Sequence, residues 1–169
     1  EFRGFHGERR EDFVGPRDAE GITVGQALNA IGYAGPRKVS GHAVGAYFEA
    51  HIEQGPILEA EGKTIGVVTH GQGLWWLEIT LTGRDAHTGS TPMNMRVNAG
   101  LGMARVTERV HQIAMSHQPN AVGAVGQVKV FPNSRNVIPG KVVFTVDIRS
   151  PDQGKLDAMR AEVERAAQA

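Results

Sequence analysis

The 169-residue sequence contains no cysteine. Without thiols it can form neither a disulfide framework nor a cysteine-based zinc site, so any metal would be held by histidine or carboxylate side chains. An excess of either charge is also absent, because 18 basic residues balance 18 acidic ones. A protein that binds nucleic acid needs a clustered basic surface to neutralise phosphates. We therefore expect no nucleic-acid partner.

Long hydrophobic runs are missing as well. No run approaches the ~18 apolar residues of a membrane-spanning helix, and Glu1-Phe2-Arg3-Gly4 lacks the apolar core of a secretion signal. The sequence thus predicts no membrane partner and a cytoplasmic location. Glycine, by contrast, is abundant: 22 residues spread along the chain, near twice the average share of ~7%.

The first third of the chain has little regular pattern. Residues 1–20 hold ten charged side chains, which predicts a surface segment. Helical spacing and a closing Gly32 predict a short helix within 22–33. The apolar and aromatic residues at 46–53 predict a strand, with His51 near its end and the turn Gln54-Gly55-Pro56 after it.

From about residue 65 the pattern becomes regular and predicts β-α-β-β-α. This is the ferredoxin-like βαββαβ pattern without its last strand. We expect a two-layer α+β sandwich over 65–169, and we interpret the chain as a piece of a longer protein because an edge would stay unpaired. The predicted elements are a strand over 74–82, a long helix that begins at Thr91-Pro92, strands over 122–131 and 142–148, and a helix after the capping-box sequence Ser150-Pro151-Asp152-Gln153.

Seven histidines are the first candidates for chemistry. His51, at the end of a predicted strand, is either a metal ligand or an ordinary loop histidine. His87 lies between glycines in a loop, where it either donates a hydrogen bond to developing negative charge or binds its own loop backbone. The other five are expected to be ordinary: His6, His111 and His117 facing solvent, and His42 and His70 in loops.

Two further residues are candidates for binding an anionic group. Arg149 ends a predicted strand, where it either binds a carboxylate with two N–H groups or pairs with Asp147 on the same strand face. Asn136, in the preceding loop, hydrogen-bonds either a substrate or its own turn. None of these residues decides the function alone.

Four motifs in order along the chain resemble a known family. They are Phe48-Glu49-Ala50-His51-Ile52-Glu53-Gln54-Gly55-Pro56-Ile57-Leu58-Glu59, then Trp76-Leu77-Glu78 followed by Thr82-Gly83-Arg84, Ala86-His87 and Thr91-Pro92-Met93, then Asn136-Val137-Ile138-Pro139-Gly140, and finally Asp147-Ile148-Arg149-Ser150. Together they are similar to the hydantoinase/carbamoylase group of binuclear metal amidohydrolases. That group includes N-carbamoyl-L-amino-acid hydrolases, allantoate amidohydrolases and β-ureidopropionases.

The resemblance implies a role for each candidate. His51 would bind one of two divalent metals (Zn, Mn, Co or Ni), and Gln54 would contact the carbamoyl group. His87 would polarise the scissile carbonyl or stabilise its oxyanion, while Asn136 and Arg149 would hold the substrate carboxylate. Residues 1–64 would belong to a catalytic, metal-binding domain, and 65–169 to a lid domain that forms a homodimer.

The resemblance also implies what this chain lacks. The family's remaining metal ligands and its general base have no counterpart among these residues. One imidazole cannot hold a binuclear centre, so we expect the chain by itself to be inactive and to bind no metal tightly. The substrate is expected to be an N-carbamoyl-L-amino acid. The alternatives are allantoate, or a pure dimerisation module with no catalytic role.

Topology adds a geometric expectation. In a βαββ unit the loops that hold His87 and Asn136 lie at the same end of the sheet, whereas Arg149 follows a strand of about eight residues. At ~3.3 Å per residue, Arg149 would lie roughly 26 Å from the Asn136 end. We therefore hypothesise that one active site takes His87 from one subunit and Arg149 from the other.

Overall fold

The computed structural model describes residues 2–4, 17–35 and 43–169, which fall into two compact units. One unit consists of the first strand and residues from 68 onward, and the other lies within 6–67. The elements are β1 (Phe2–Gly4), α1 (Val24–Ala30), α2 (Ile57–Ala60), β2 (Gly73–Thr82), β3 (Ala86–His87), α3 (Ala99–Ser116), β4 (Val122–Phe131), β5 (Val137–Ile138), β6 (Lys141–Ser150) and α4 (Gln153–Gln168).

The larger unit is built on an antiparallel sheet with the strand order β1-β2-β6-β4. β2 and β6 pair along their whole length, from Gly73 opposite Ser150 to Thr82 opposite Lys141. Helices α3 and α4 pack on one face of this sheet. The predicted two-layer α+β sandwich with β-α-β-β-α order is confirmed.

Three short strands, β1, β3 and β5, were not predicted. β1 pairs antiparallel with the outer edge of β2, from Phe2 opposite Ile79 to Gly4 opposite Leu77. The dense charge of residues 1–20 hides a three-residue strand, because period-2 alternation needs at least about four residues to be visible.

The core lies between the sheet and the two helices. Alternate residues of β2 and β6 point into the core, as the period-2 pattern predicts. They pack against residues of α3 and α4 that lie three or four positions apart, on one face of each helix. The core side chains, each at most 3% exposed, include Leu77, Ile79, Val106, Val110, Ile113, Val142, Phe144, Val146, Ile148, Leu156, Met159 and Val163.

The long helix begins later than the sequence suggested. Pro92 has an extended backbone (ψ 148°), and residues Met93–Met95 form a single 3₁₀ turn. The N-cap of α3 is Asn98, whose side chain accepts hydrogen bonds from the N–H groups of Gly100 (2.9 Å) and Leu101 (3.2 Å). The prediction from Thr91-Pro92 was wrong because Asn98 provides the cap that unpaired N–H groups need.

The N-cap of the last helix, α4, lies two residues beyond the predicted one. Asp152 accepts a hydrogen bond from the N–H of Lys155 (2.9 Å) and is the N-cap of α4. Ser150, predicted as the cap, is buried and accepts a hydrogen bond from the N–H of Asp152 (3.1 Å). Its hydroxyl therefore orders the turn that precedes the helix.

In the smaller unit, the predicted helix is present and the predicted strand is not. α1 begins with a capping box formed by Thr23 and Gln26. Its C-cap, Ile31, is followed by Gly32, whose φ of +73° favours glycine. Residues 46–53 form no strand. Phe48 is 92% and Ile52 73% exposed, so the apolar pattern there has no sheet to pack against among the described residues. No described helix is both long and apolar enough to cross a membrane.

Candidate active site

A short two-stranded ladder brings His87 and Asn136 together. β3 pairs antiparallel with β5, with His87 opposite Val137. The ladder continues by one bond, because the N–H of Thr88 donates to the carbonyl of Asn136 (2.9 Å). Two of the predicted site residues, far apart in sequence, therefore lie on adjacent backbones.

Two glycines allow this ladder to join the main sheet. The N–H of Gly83 donates to the carbonyl of Gly140 (2.7 Å) just beyond the last β2–β6 pair. A Cβ at Gly83 would overlap the backbone of Val97, and one at Gly140 would overlap Asp85. Because Asp85 lies against Gly140, its carboxylate accepts a hydrogen bond from the N–H of Gly140 (2.7 Å). Only glycine fits at these two positions.

The His87 imidazole is exposed and its tautomer is set by its own loop. Nδ1 accepts a hydrogen bond from the N–H of Gly89 (3.1 Å). A backbone N–H can only donate, so Nδ1 has no proton in this arrangement and the proton of the neutral ring is on Nε2. The two roles considered for His87 are thus compatible: Nδ1 binds the loop, and Nε2–H is an exposed donor.

Arg96 holds the loop that follows His87. Its Nη2 donates to the carbonyls of Thr88 (2.7 Å) and Thr91 (2.9 Å), and its Nε donates to Thr91 as well (3.0 Å). The N–H of Thr91 in turn donates to the carbonyl of His87 (3.2 Å). Arg96 is not among the residues that the sequence motifs indicated. Its partners are backbone carbonyls, which every residue type has, so no residue pattern indicates them.

Asn136 is exposed, and in the described part of the chain only the oxygen of its side-chain amide makes a hydrogen bond. Its Oδ1 accepts a hydrogen bond from the Ser134 hydroxyl (3.2 Å). Within the described residues Nδ2 makes no hydrogen bond, so both of its N–H groups are available to an anionic group. Binding of its own turn and binding of a ligand are again compatible.

Arg149 lies at the opposite end of the sheet and pairs with Asp147. Nε lies 2.9 Å from Oδ1 and Nη2 lies 2.6 Å from Oδ2 of that carboxylate. The hydrogen bonds from Arg149 hold the pKa of Asp147 below its ordinary value; partial burial opposes this shift and Trp76 adds to it. Asp147 raises the pKa of Arg149 in return.

The structure does not bring Arg149 to His87 and Asn136. Arg149 lies opposite Leu74 at the start of β2, whereas the His87 ladder follows Thr82 at the end of β2. Eight residue steps of β6 separate Lys141 from Arg149, which is about 26 Å at ~3.3 Å per residue. The predicted placement of these groups at opposite ends of one sheet is confirmed.

His51 and Gln54 lie in the smaller unit and are both exposed. His51 contacts the carbonyl of Ile52 through Nδ1, and Gln54 has a φ of +53°. Among the described residues, no group of three or more histidine or carboxylate side chains is placed to hold a metal ion. Within this part of the chain, His51 is therefore a single imidazole and not a member of a metal-binding cluster.

The remaining histidines are mostly ordinary. His70 and His111 are exposed, while His6 and His42 lie outside the described residues. His117 differs from the prediction, because it is only 19% exposed and its Nε2 lies 2.9 Å from Oε1 of Glu162. This contact joins the end of α3 to α4.

The two-layer βαββα sandwich, with helices α3 and α4 on one face of an antiparallel sheet, defines the larger unit as a small α+β domain. Residues 69–169 match the family described as the peptidase dimerisation domain. The chain belongs to this family.

Among curated proteins, the chain is 68% identical over 151 residues to the N-carbamoyl-L-amino-acid amidohydrolase of Rhizobium meliloti, covering 89% of this chain and 36% of that protein. It is 34% identical over 149 residues to the allantoate amidohydrolase of Escherichia coli K12, covering 87% and 36%. The chain therefore spans little more than a third of the length of these relatives.

The chain is also similar to solved structures of amidases of the hydantoinase/carbamoylase family. The crystal structure of an amidase of the hydantoinase/carbamoylase family from Burkholderia vietnamiensis is 51% identical, with a TM-score of 0.80 over 94% of this chain and 38% of that one. A relative from Burkholderia phymatum, also described as an amidase of this family, is 31% identical with a TM-score of 0.77 over 93% and 40%.

Proposed function

We propose that this chain is part of a metal-dependent amidohydrolase that hydrolyses the carbamoyl C–N bond of N-carbamoyl-L-amino acids to amino acid, CO2 and ammonia. The observation that supports this most is the 68% identity to the amidohydrolase of Rhizobium meliloti over 89% of the chain. Residues 65–169 would form the lid and dimerisation domain, and 1–64 a segment of the catalytic domain.

In this proposal His87 acts on the scissile carbonyl. Hydrolysis of a ureido group passes through a tetrahedral intermediate whose oxygen becomes negative. The exposed Nε2–H of His87, whose Nδ1 is held by the N–H of Gly89, can donate a hydrogen bond to this oxygen. That hydrogen bond becomes stronger as the negative charge develops, so it stabilises the transition state more than the bound substrate.

Asn136 and Arg149 would bind the substrate carboxylate. Both keep free N–H groups: Nδ2 of Asn136, and Nη1 of Arg149, for which the described residues provide no partner. Because Arg149 lies at the other end of the sheet from His87 and Asn136, one substrate would meet Arg149 of one subunit and His87 with Asn136 of the other. The active enzyme would therefore be a homodimer.

His51 would be one ligand of a centre of two divalent metals, and Gln54 would contact the carbamoyl group. When bound, such metals polarise the carbonyl and lower the pKa of a water molecule. An imidazole suits these metals, but among the described residues His51 has no companions that complete a site. The other ligands would come from outside the described residues.

An activity assay of the full-length protein tests the proposal. The protein is loaded with Mn, Co, Ni or Zn and given a panel of N-carbamoyl-L-amino acids and, separately, allantoate. We expect ammonia release from N-carbamoyl-L-amino acids, and a loss of kcat of about 10²–10³ in His87→Ala, the usual effect of removing one oxyanion donor. Preference for allantoate would replace the substrate assignment, and no ammonia from either class would contradict the proposal.

A further inference from the structure

One peptide group connects Arg96 to the His87 ring. The carbonyl that accepts the bond from Arg96 Nη2 (2.7 Å) is that of Thr88. The N–H that donates to His87 Nδ1 (3.1 Å) is that of Gly89, in the same peptide unit. Since a trans peptide is planar, its C=O and N–H point in opposite directions. Fixing the carbonyl therefore aims the N–H at the imidazole.

The charge of Arg96 also strengthens this donor. Hydrogen bonds in a chain polarise one another, and a cation at the carbonyl makes the N–H of the same peptide a better donor. No carboxylate pairs with Arg96 within the described part of the chain, where its hydrogen bonds all go to the carbonyls of Thr88 and Thr91. The half-buried guanidinium is thus directed wholly at the backbone of this loop.

We propose that Arg96 is a positioning residue for the amidohydrolase reaction: acting through the Thr88–Gly89 peptide, it keeps His87 in the tautomer with its proton on Nε2. The inference rests on the proposed function for its catalytic consequence. The tautomer itself is a property of the loop and can be measured whether or not that function is correct.

The first test is the protonation pattern of His87. Two-dimensional ¹H–¹⁵N spectra of the 169-residue chain distinguish a protonated ring nitrogen from an unprotonated one. We expect an unprotonated Nδ1 in the wild type and a mixture of tautomers in Arg96→Met. Arg84→Met is the matched control, because Arg84 donates to the carbonyl of Met95 (2.9 Å) in the same loop and not to the peptide beside His87. It should leave the His87 resonances unchanged.

The second test is kinetic and uses the full-length protein. Arg96→Met should lower kcat by about twofold or more with a smaller change in KM, since the molecules whose His87 has its proton on Nδ1 cannot donate from Nε2. Arg96→Lys keeps the charge but cannot bind both carbonyls with a planar group, so it should recover part of the loss. In a His87→Ala background, Arg96→Met should cause no further loss of kcat.

Two results would overturn the inference. One is a His87 tautomer that is the same in wild type, Arg96→Met and Arg96→Lys. The other is a loss of kcat from Arg96→Met that is as large in the His87→Ala background as alone, which indicates a merely structural role. If the full-length protein hydrolyses no ureido acid while Arg96→Met still shifts the tautomer, the proposed function fails and the role of Arg96 in the loop stands.

Discussion

Asp147 determines which edge of the Arg149 guanidinium stays available. It occupies Nε and Nη2, so an incoming carboxylate would bind end-on, at Nη1 and the second N–H of Nη2. The pair is partly exposed, with 41% of the Arg149 side chain and 34% of the Asp147 side chain accessible. The pair therefore contributes little to the free energy of unfolding, and its main effect is to orient the Arg149 side chain.

The pair predicts a specific pH dependence. Arg149 lowers the pKa of Asp147 below 3.8, so the pair stabilises the fold above that pH, and this stabilisation is lost as the pH falls through the lowered pKa. We expect Asp147→Asn to reduce the free energy of unfolding near pH 6 by at most about 1 kcal/mol. The difference from wild type should become smaller between pH 6 and pH 2. Urea unfolding at both pH values measures it, and a difference that grows on acidification would contradict the assignment.

At the residue scale, the sequence indicated candidate side chains for the site and missed the residues that hold the neighbouring loops in place. His87, Asn136 and Arg149 stand in motifs that resemble a known family. Arg96 and Asp85 bind the carbonyl and N–H groups of distant loop residues. Such contacts depend on where the backbone goes, so residue type and spacing do not reveal them.

Among the elements, α3 depends on a cap that the sequence pattern placed seven residues too early. Asn98→Ala removes the acceptor for two N–H groups and should reduce the free energy of unfolding by about 1 kcal/mol. Asn98→Asp should retain most of it. Asn94→Ala is the matched control, since Asn94 is exposed in the preceding 3₁₀ turn. Equal losses from Asn98→Ala and Asn94→Ala in chemical denaturation would show that Asn98 is no cap.

The three long strands of the larger unit, β2, β4 and β6, were predictable, whereas the strand predicted over 46–53 is absent. One physical reason explains both results. A strand with one face on a core must alternate, and β2 and β6 do so because helices cover that face. The run at 46–53 is apolar without a sheet beside it, and its side chains are largely exposed. Composition alone does not distinguish these cases, because strand formation requires a partner.

Across the whole larger unit, stability depends on one core between the sheet and two helices. Phe144, at the centre of β6, is 1% exposed. Phe144→Ala should cost about 3–5 kcal/mol, since the lost burial and the cavity add. Val143→Ala, on the opposite and half-buried face of the same strand, should cost much less. Similar losses for the two variants in urea unfolding would mean that the faces are assigned wrongly.

At the scale of the whole molecule, the separation of the candidate site residues follows from the lengths of β2 and β6. These ten-residue strands separate Arg149 from the ladder of His87 and Asn136, and no rearrangement of side chains spans about 26 Å. If all three groups contact one small substrate, they come from two subunits. This expectation needed only topology, which is why the sequence was sufficient for it.

Subunit complementation tests this central claim most directly. Full-length His87→Ala and Arg149→Ala, each nearly inactive, are mixed in equal amounts under conditions that allow subunit exchange. If each site takes His87 from one subunit and Arg149 from the other, every mixed dimer has one intact site, and random pairing should restore about one quarter of wild-type activity. A mixture that exchanges subunits yet stays as inactive as the separate variants would show that both residues act within one subunit, and would contradict the account.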